Sequence, residues 1–308
     1  MQSKVLKSAG VNRVSSSEGL KKAAEISEKI MKILFTACGF TAVAFVILIT
    51  VFLVVSGTPA IGKIGISDFL FGTKWASTGP DPSYGILPFI LSSFWGTAGA
   101  VLIGVPLGIL CSVFTAKTAG KRISPAVSSA VNLMSGIPSV VYGLVGMIAV
   151  VPAVRNVFGL SDGANMFSAI IVLAVMILPS VISVSETALR AVPVEYEEAS
   201  LALGANMTET VFKVTLPAAK SGILASVVLG IGRAIGEAMA VMMVSGNVPN
   251  MPGIFRSVRF LTTAVASEMS YSSGLQREAL FSVALVLFAF IMIINMILNF
   301  VVKRGNNK

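Results

Sequence analysis

Histidine is absent from this 308-residue chain. That excludes imidazole-ligated metal sites and a serine–histidine nucleophile. Charge is scarce as well: Asp, Glu, Lys and Arg make up 12% of the residues, where a soluble domain carries roughly 25%. Only two cysteines occur, Cys38 and Cys111, each within an apolar run, which reads as packing and not as a disulfide or a ligand pair. A complete nucleotide-binding motif is missing too. Gly57-Thr-Pro-Ala-Ile-Gly62-Lys63 has the opening spacing of a phosphate loop, but Ile64 stands where the Mg²⁺-binding hydroxyl belongs. No cleavable signal peptide is apparent, because the charged start is long and the run after it is of full spanning length. What remains is apolar: 55% hydrophobic residues and a mean hydropathy of +0.88. The expectation is an all-α integral membrane protein, since a helix satisfies its own backbone in lipid.

Six apolar runs reach the length of about 20 residues that a hydrocarbon core requires. They cover about 33–55, 86–114, 126–150, 167–184, 223–244 and 279–302. The division that follows is a cytoplasmic segment 1–32, a six-span membrane domain 33–302, and a short tail 303–308. In the first segment Leu20, Ala24, Ile26 and Ile30 suggest a helix from Ser17 onward at the cytoplasmic surface; a frayed tail is the other reading. Phe69, Phe71 and Trp75, in a Gly/Pro-rich loop, are placed for a membrane interface. Gly96, Gly99, Gly104 and Gly108 offer close approach to neighbouring helices, and 155–165 reads as an outer loop. In SGIPSVVYGL, Gly136 and Pro138 should loosen the third span. Ser139 and Tyr142, with Ser135, then face a polar path, or the kink serves packing alone; both readings stand.

The polar stretch 186–220 has more order than a connector needs, since two to eight residues join helices. Tyr196, Ala199 and Leu203 share one helical face. Gly204 sits where a left-handed residue would close that helix. Asn206 and Glu209 have capping-box spacing for a second helix, which Pro217 is expected to end. Five acids against three bases in this stretch exclude a DNA-reading helix-turn-helix. The spacing Glu198-Ala199-Ser200, three residues, Gly204, nine residues, Val214-x-Leu216-Pro217 resembles the cytoplasmic "EAA" loop of binding-protein-dependent ABC importer permeases, with Ser200 and Val214 where that pattern has Ala and Ile. The resemblance implies that Glu198, Ala199, Gly204, Leu216 and Pro217 belong to a helix-turn-helix that docks on an ATPase subunit.

Arg233 and Glu237 lie one helical turn apart in the fifth span and are expected to pair. An arginine at the bilayer centre costs on the order of 2.5–3.5 kcal/mol even on lenient scales, and Glu237 would offset some of that. Gly230, Gly232 and Gly236 should let other helices approach. The pair is either helix glue or a site on the path of an anion, with the guanidinium as donor fork. The second is favoured, because an apolar pair would hold helices at less cost.

SGIPSVVYGL, ETALRAVPVEYEEASLALGA and RAIGEAMAVMMVSGN together resemble the PstC-type permeases of phosphate ABC importers, over about 84–300, with Ala238 where that family usually has Thr. The resemblance implies a type I ABC importer permease fold and a pore for inorganic phosphate, with Arg233, Glu237, Ser139 and Tyr142 on the substrate path. It also implies a PstA-type permease partner, two cytoplasmic ATPase subunits and an extracytoplasmic phosphate-binding protein. No cofactor is expected on this chain; ATP–Mg belongs to the partner subunits, and the chain itself performs no bond chemistry. The alternatives are a permease for sulfate or molybdate, or a secondary transporter, which would need no docking loop and often shows inverted repeats.

Sixteen of the 23 Lys and Arg residues lie in loops on the N-terminal side and six on the other, with Arg233 inside a span. The positive-inside rule then puts both termini and the docking loop in the cytoplasm of a bacterial or archaeal cell. One measurement checks the reading of Gly57–Lys63. Equilibrium binding of a labelled ATP analogue to the purified chain should show no saturable component, and a stoichiometric site would overturn that reading.

Overall fold

A single helix, α1 (Gln2–Ile64), carries the chain through its polar start and first apolar run. The computed structural model describes residues 2–306 apart from Gly79, with side chains described for 28–300 of these. Two compact units divide after Val55. In the first, the backbone is helical from Ser17 as expected; placement of its polar portion on a membrane surface depends on side chains outside the described residues. Phe35, Phe40, Phe45 and Leu48 stand exposed on that unit, as on a helix whose solvent is lipid.

The second unit opens with the last turns of α1. Then come α2 (Ile66–Phe71) and a hairpin of β1 (Trp75–Ala76) and β2 (Ser83–Tyr84), paired antiparallel with Trp75 opposite Tyr84. The next helix, α3 (Leu87–Val113), ends in a π-helical turn, Phe114–Thr118. After α4 (Ile123–Ser135), α5 (Ser139–Val145) runs through a second π-turn into α6 (Val151–Phe158). Beyond α7 (Met166–Arg190), the polar stretch forms α8 (Val194–Ala202), α9 (Met207–Thr210), a third π-turn (Val211–Thr215) and α10 (Leu216–Ala218). The chain closes with α11 (Lys220–Gly236), α12 (Met239–Val244), α13 (Leu261–Glu268) and α14 (Gly274–Asn306).

Helix α7 is the axis of packing in this unit. An added Cβ on Gly99, Gly104 or Gly108 of α3 would lie 2.7–2.8 Å from Ile170, Ile177 or Val181 of α7. In lipid, where apolar surface gains nothing by leaving its solvent, such close van der Waals contact is what holds helices together. Leu173 and Met176 gather Val241, Val244 and Phe260 in one core. A second core holds Phe69, Trp75, Tyr84, Phe89, Leu261 and Leu280, and a third, under the polar stretch, holds Val113, Leu189, Val192, Val211 and Ala219.

Several expectations change. Five helices among the described residues are long and apolar enough to cross a membrane, or six when the pair Met207–Ala218 and Lys220–Gly236, bent by 71°, counts as one span. The expected third span, 126–150, is cut at Pro138; its crossing piece is Ser139–Phe158, which takes Arg155 out of the outer loop and into a helix. The fifth, 223–244, is cut between Gly236 and Met239. Phe69 and Trp75 are buried and only Phe71 is exposed, because the hairpin folds them into the second core instead of onto an interface. Of the span-five glycines only Gly230 has a close neighbour, Val181; Gly232 and Gly236 face open space. Both cysteines are free, and Cys38 is exposed, so the packing role fits Cys111 alone. Gly57–Lys63 is helical, with Lys63 paired to Glu278 at 2.6 Å.

Gly143 of α5 meets α12 so closely that a Cβ would stand 2.8 Å from both Ala240 Cα and Met243 Sδ. Backbone on one side leaves little room to give. Gly143→Val should therefore destabilise the fold by about 1–3 kcal/mol, the usual cost of overpacking, and thermal unfolding in detergent should show a lowered Tm. An unchanged Tm would mean that α5 and α12 can separate freely.

Candidate functional site

Two regions carry the residues singled out by sequence. The first is the helix-turn-helix of α8 and α9. Pro193 precedes α8, and Glu195 and Glu197 occupy its first turn, where a negative charge suits the helix dipole. Gly204 has φ +88° and its N–H donates to the Leu201 carbonyl at 2.9 Å, the left-handed closure that glycine permits. The capping box is complete: Glu209 N donates to Asn206 Oδ1 at 2.9 Å, and Asn206 N to Glu209 Oε2 at 3.1 Å. The hydroxyls of Ser200 and Thr210, 2.9 Å apart, tie the two helices. Pro217 lies one residue before the helical run Met207–Ala218 ends, and the chain turns at Ala219.

This loop has two unlike faces. Glu198, Ala199, Gly204 and Pro217 are exposed, and Tyr196 and Leu203 expose 55% and 90% of their surface. Leu216 is half-buried against the third core. Glu197, beside the exposed Glu198, points the other way and is 9% exposed. Its carboxylate takes Lys117 Nζ at 2.5 Å and the Thr215 hydroxyl at 3.0 Å. Nothing in the sequence singles out Glu197 from the four other acids nearby, since its partner is far along the chain.

The second region is where two helices break. Between α4 and α5, Pro138 is extended (φ −59°, ψ 143°), and no side chain caps the N-terminus of α5. Half-buried Ser139 opens α5. The Tyr142 hydroxyl reaches back across the break to donate to the Met134 carbonyl at 2.7 Å. Between α11 and α12, Glu237 is extended as well (φ −75°, ψ 125°). Its Oε1 accepts the Ala240 N–H at 2.9 Å, and its carbonyl accepts the Thr262 hydroxyl at 2.8 Å.

Arg233 and Glu237 therefore do not pair, contrary to expectation. The i, i+4 relation holds only in a continuous helix, and this one stops at Gly236. Among the described residues the one hydrogen bond of the Arg233 guanidinium goes from NH1 to Ser180 Oγ of α7, at 3.1 Å. Helix α5 meets α12 through Gly143 and Ala240. The structure thus joins Arg233 to Ser180, sets Ser139 one turn from Tyr142 on the helix that meets α12, and gives Glu237 to the backbone of α12. A guanidinium with most of its donors unengaged, in a half-buried setting, can bind an oxyanion as a fork. Among the described residues no cluster of three carboxylate or thiol ligands could hold a metal.

Comparison with known proteins shows the family and the fold. Residues 104–306 match the family model described as "Binding-protein-dependent transport system inner membrane component". The chain is 37% identical over 279 residues to the probable ABC transporter permease protein YqgH of Bacillus subtilis (strain 168), covering 88% of this chain and 90% of that one. It is 29% identical over 307 residues to the phosphate transport system permease protein PstC of Pasteurella multocida (strain Pm70), covering 92% and 95%. Among solved structures, the MetNI methionine ABC transporter in an inward-facing conformation aligns with a TM-score of 0.53 at 22% identity, over 72% of this chain and 94% of that one. That last likeness speaks to the fold alone.

Proposed function

Because this chain belongs to the binding-protein-dependent transport system inner membrane components, the permease subunits of ABC importers, we propose that it forms half of the pore of an ATP-driven importer of inorganic phosphate. The fold is the all-α fold of type I ABC importer permeases. Phosphate is supported by the likeness to PstC permeases and, within the chain, by one observation above others: the Arg233 guanidinium near a broken span, bonded to Ser180 and paired with no carboxylate among the described residues. A phosphate oxyanion would take the fork of Arg233, with the hydroxyls of Ser180, Ser139 and Tyr142 within the same region. The uncapped N-terminus of α5 adds positive potential there. Glu237 serves the site indirectly by holding α12 in place.

The exposed face of α8 and α9, with Tyr196, Glu198, Ala199 and Leu203, is the docking surface for a cytoplasmic ATPase subunit, and ATP–Mg is bound there and not by this chain. A PstA-type permease completes the pore, a second ATPase subunit serves that partner, and an extracytoplasmic binding protein delivers phosphate. Both termini lie in the cytoplasm. A sulfate or molybdate permease would use the same fork, so uptake of the three labelled anions side by side tests the choice.

Since Glu237 is satisfied by the backbone of α12, removing Arg233 leaves no buried carboxylate alone. Arg233→Leu should assemble normally yet import phosphate roughly ten- to a hundredfold more slowly, the loss expected for a charged hydrogen bond of about 1.5–3 kcal/mol. Arg233→Lys should fall between, as a point charge replaces a planar fork. The measurement is labelled phosphate uptake into proteoliposomes, normalised to assembled complex. Near-normal uptake by Arg233→Leu would remove Arg233 from the path.

A further inference from the structure

The docking loop is fastened to the membrane helices by a buried ion pair that neither docking nor anion binding uses. Lys117 lies in the π-helical turn that ends α3, and Glu197 in the first turn of α8. Their side chains are 12% and 11% exposed. The hydroxyl of Thr215, which is fully buried, donates to the same carboxylate oxygen, so one group joins α3, α8 and the turn before α10. The π-turn is gripped from another side too. Arg190, the last residue of α7, donates to the Thr115 carbonyl at 3.1 Å and to Ser124 Oγ at 2.9 Å, while Glu186 holds it at 2.9 Å. A π-turn widens the helix and frees carbonyls, a geometry frequent at functional positions; here Arg190 uses one of those carbonyls.

Stability is a weak reason for such a pair. Withdrawing two charges from water costs about as much as their attraction returns, and apolar residues of like volume would hold the elements as well. What the pair does supply is resistance to sliding. Any shift of α8 against α3 would pull the buried charges apart and strand each without a partner, a penalty that apolar contacts, which slide at little cost, do not impose. The neighbouring acids divide the work by direction: Glu198 faces outward to the docking surface, and Glu197 faces inward to α3.

We infer that Lys117 and Glu197 form the strut through which movement of the docking loop reaches the second span, so that α8 and the end of α3 shift as one body during transport. Both are positioning residues; neither touches the transported anion. The inference rests on the reading of α8 and α9 as an ATPase docking loop.

The test uses the full complex in proteoliposomes, with partner permease, ATPase subunits and binding protein, and reads labelled phosphate imported per ATP hydrolysed. Lys117→Met combined with Glu197→Gln removes both charges and leaves neither unpaired. This variant should assemble at normal yield and hydrolyse ATP, while its import per ATP falls roughly tenfold, a size typical of altered coupling networks. The reversed pair, Lys117→Glu with Glu197→Lys, should recover most of that ratio. An unchanged ratio in the neutral variant overturns the strut. So does failure of that variant to assemble, since the pair would then be a folding element. Leu203→Glu, on the exposed face, separates the two readings: it should lose the ATPase subunit, and if it keeps that subunit the docking reading fails by itself.

Discussion

In hydrocarbon every backbone N–H and C=O must find a partner inside the protein, because there is no water to supply one. That constraint governs where a span can depart from regular helix, and among the described residues the departures include the breaks at Pro138 and Glu237 and the π-turns Phe114–Thr118 and Gly146–Val150. At each break a side chain closes the gap. Tyr142 reaches the Met134 carbonyl, Glu237 takes the Ala240 N–H, and Thr262 reaches the Glu237 carbonyl. Polar residues that look like a substrate path in sequence are therefore partly committed to the backbone. Arg233 is not: among the described residues its guanidinium bonds a single hydroxyl, that of Ser180.

The breaks need a rigid neighbour, and α7 is that neighbour. It lies against the glycine face of α3 along nearly three turns and carries Ser180 at the level of Arg233. Ten residues on, or about 15 Å along the axis, it ends in Arg190, which grips the π-turn of α3. One element thus touches both Arg233 and the π-turn beneath the α8–α9 loop.

Local signals were legible in the sequence where a short-range rule decides the outcome. The capping box at Asn206 and Glu209, the left-handed Gly204, the cut at Pro138 and the glycine face of α3 all depend on spacing and side-chain size, and all are present. The failures share one cause, tertiary context. Gly236-Glu237-Ala238 contains no proline, so a continuous helix and its i, i+4 ion pair were the natural expectation; an unwound Glu237, held by Ala240 and Thr262, replaces it. Phe69 and Trp75 have the character of interface residues, and only the hairpin register puts them in a core. Lys117 and Glu197 belong to elements far apart in the chain, and no pattern within either points to the other.

The unwound Glu237 changes what Arg233 means. Had the two paired, the arginine would be largely compensated and an incoming anion would have to displace a carboxylate already in contact. With Glu237 turned to α12, the cost of holding a guanidinium within the membrane, on the order of 2.5–3.5 kcal/mol on insertion scales, is offset among the described residues by the hydrogen bond to Ser180. On the reading proposed above, an arriving oxyanion would relieve the remainder, and the burial that penalises the guanidinium would strengthen that attraction. A break without proline, which the sequence conceals, is what leaves that charge unneutralised.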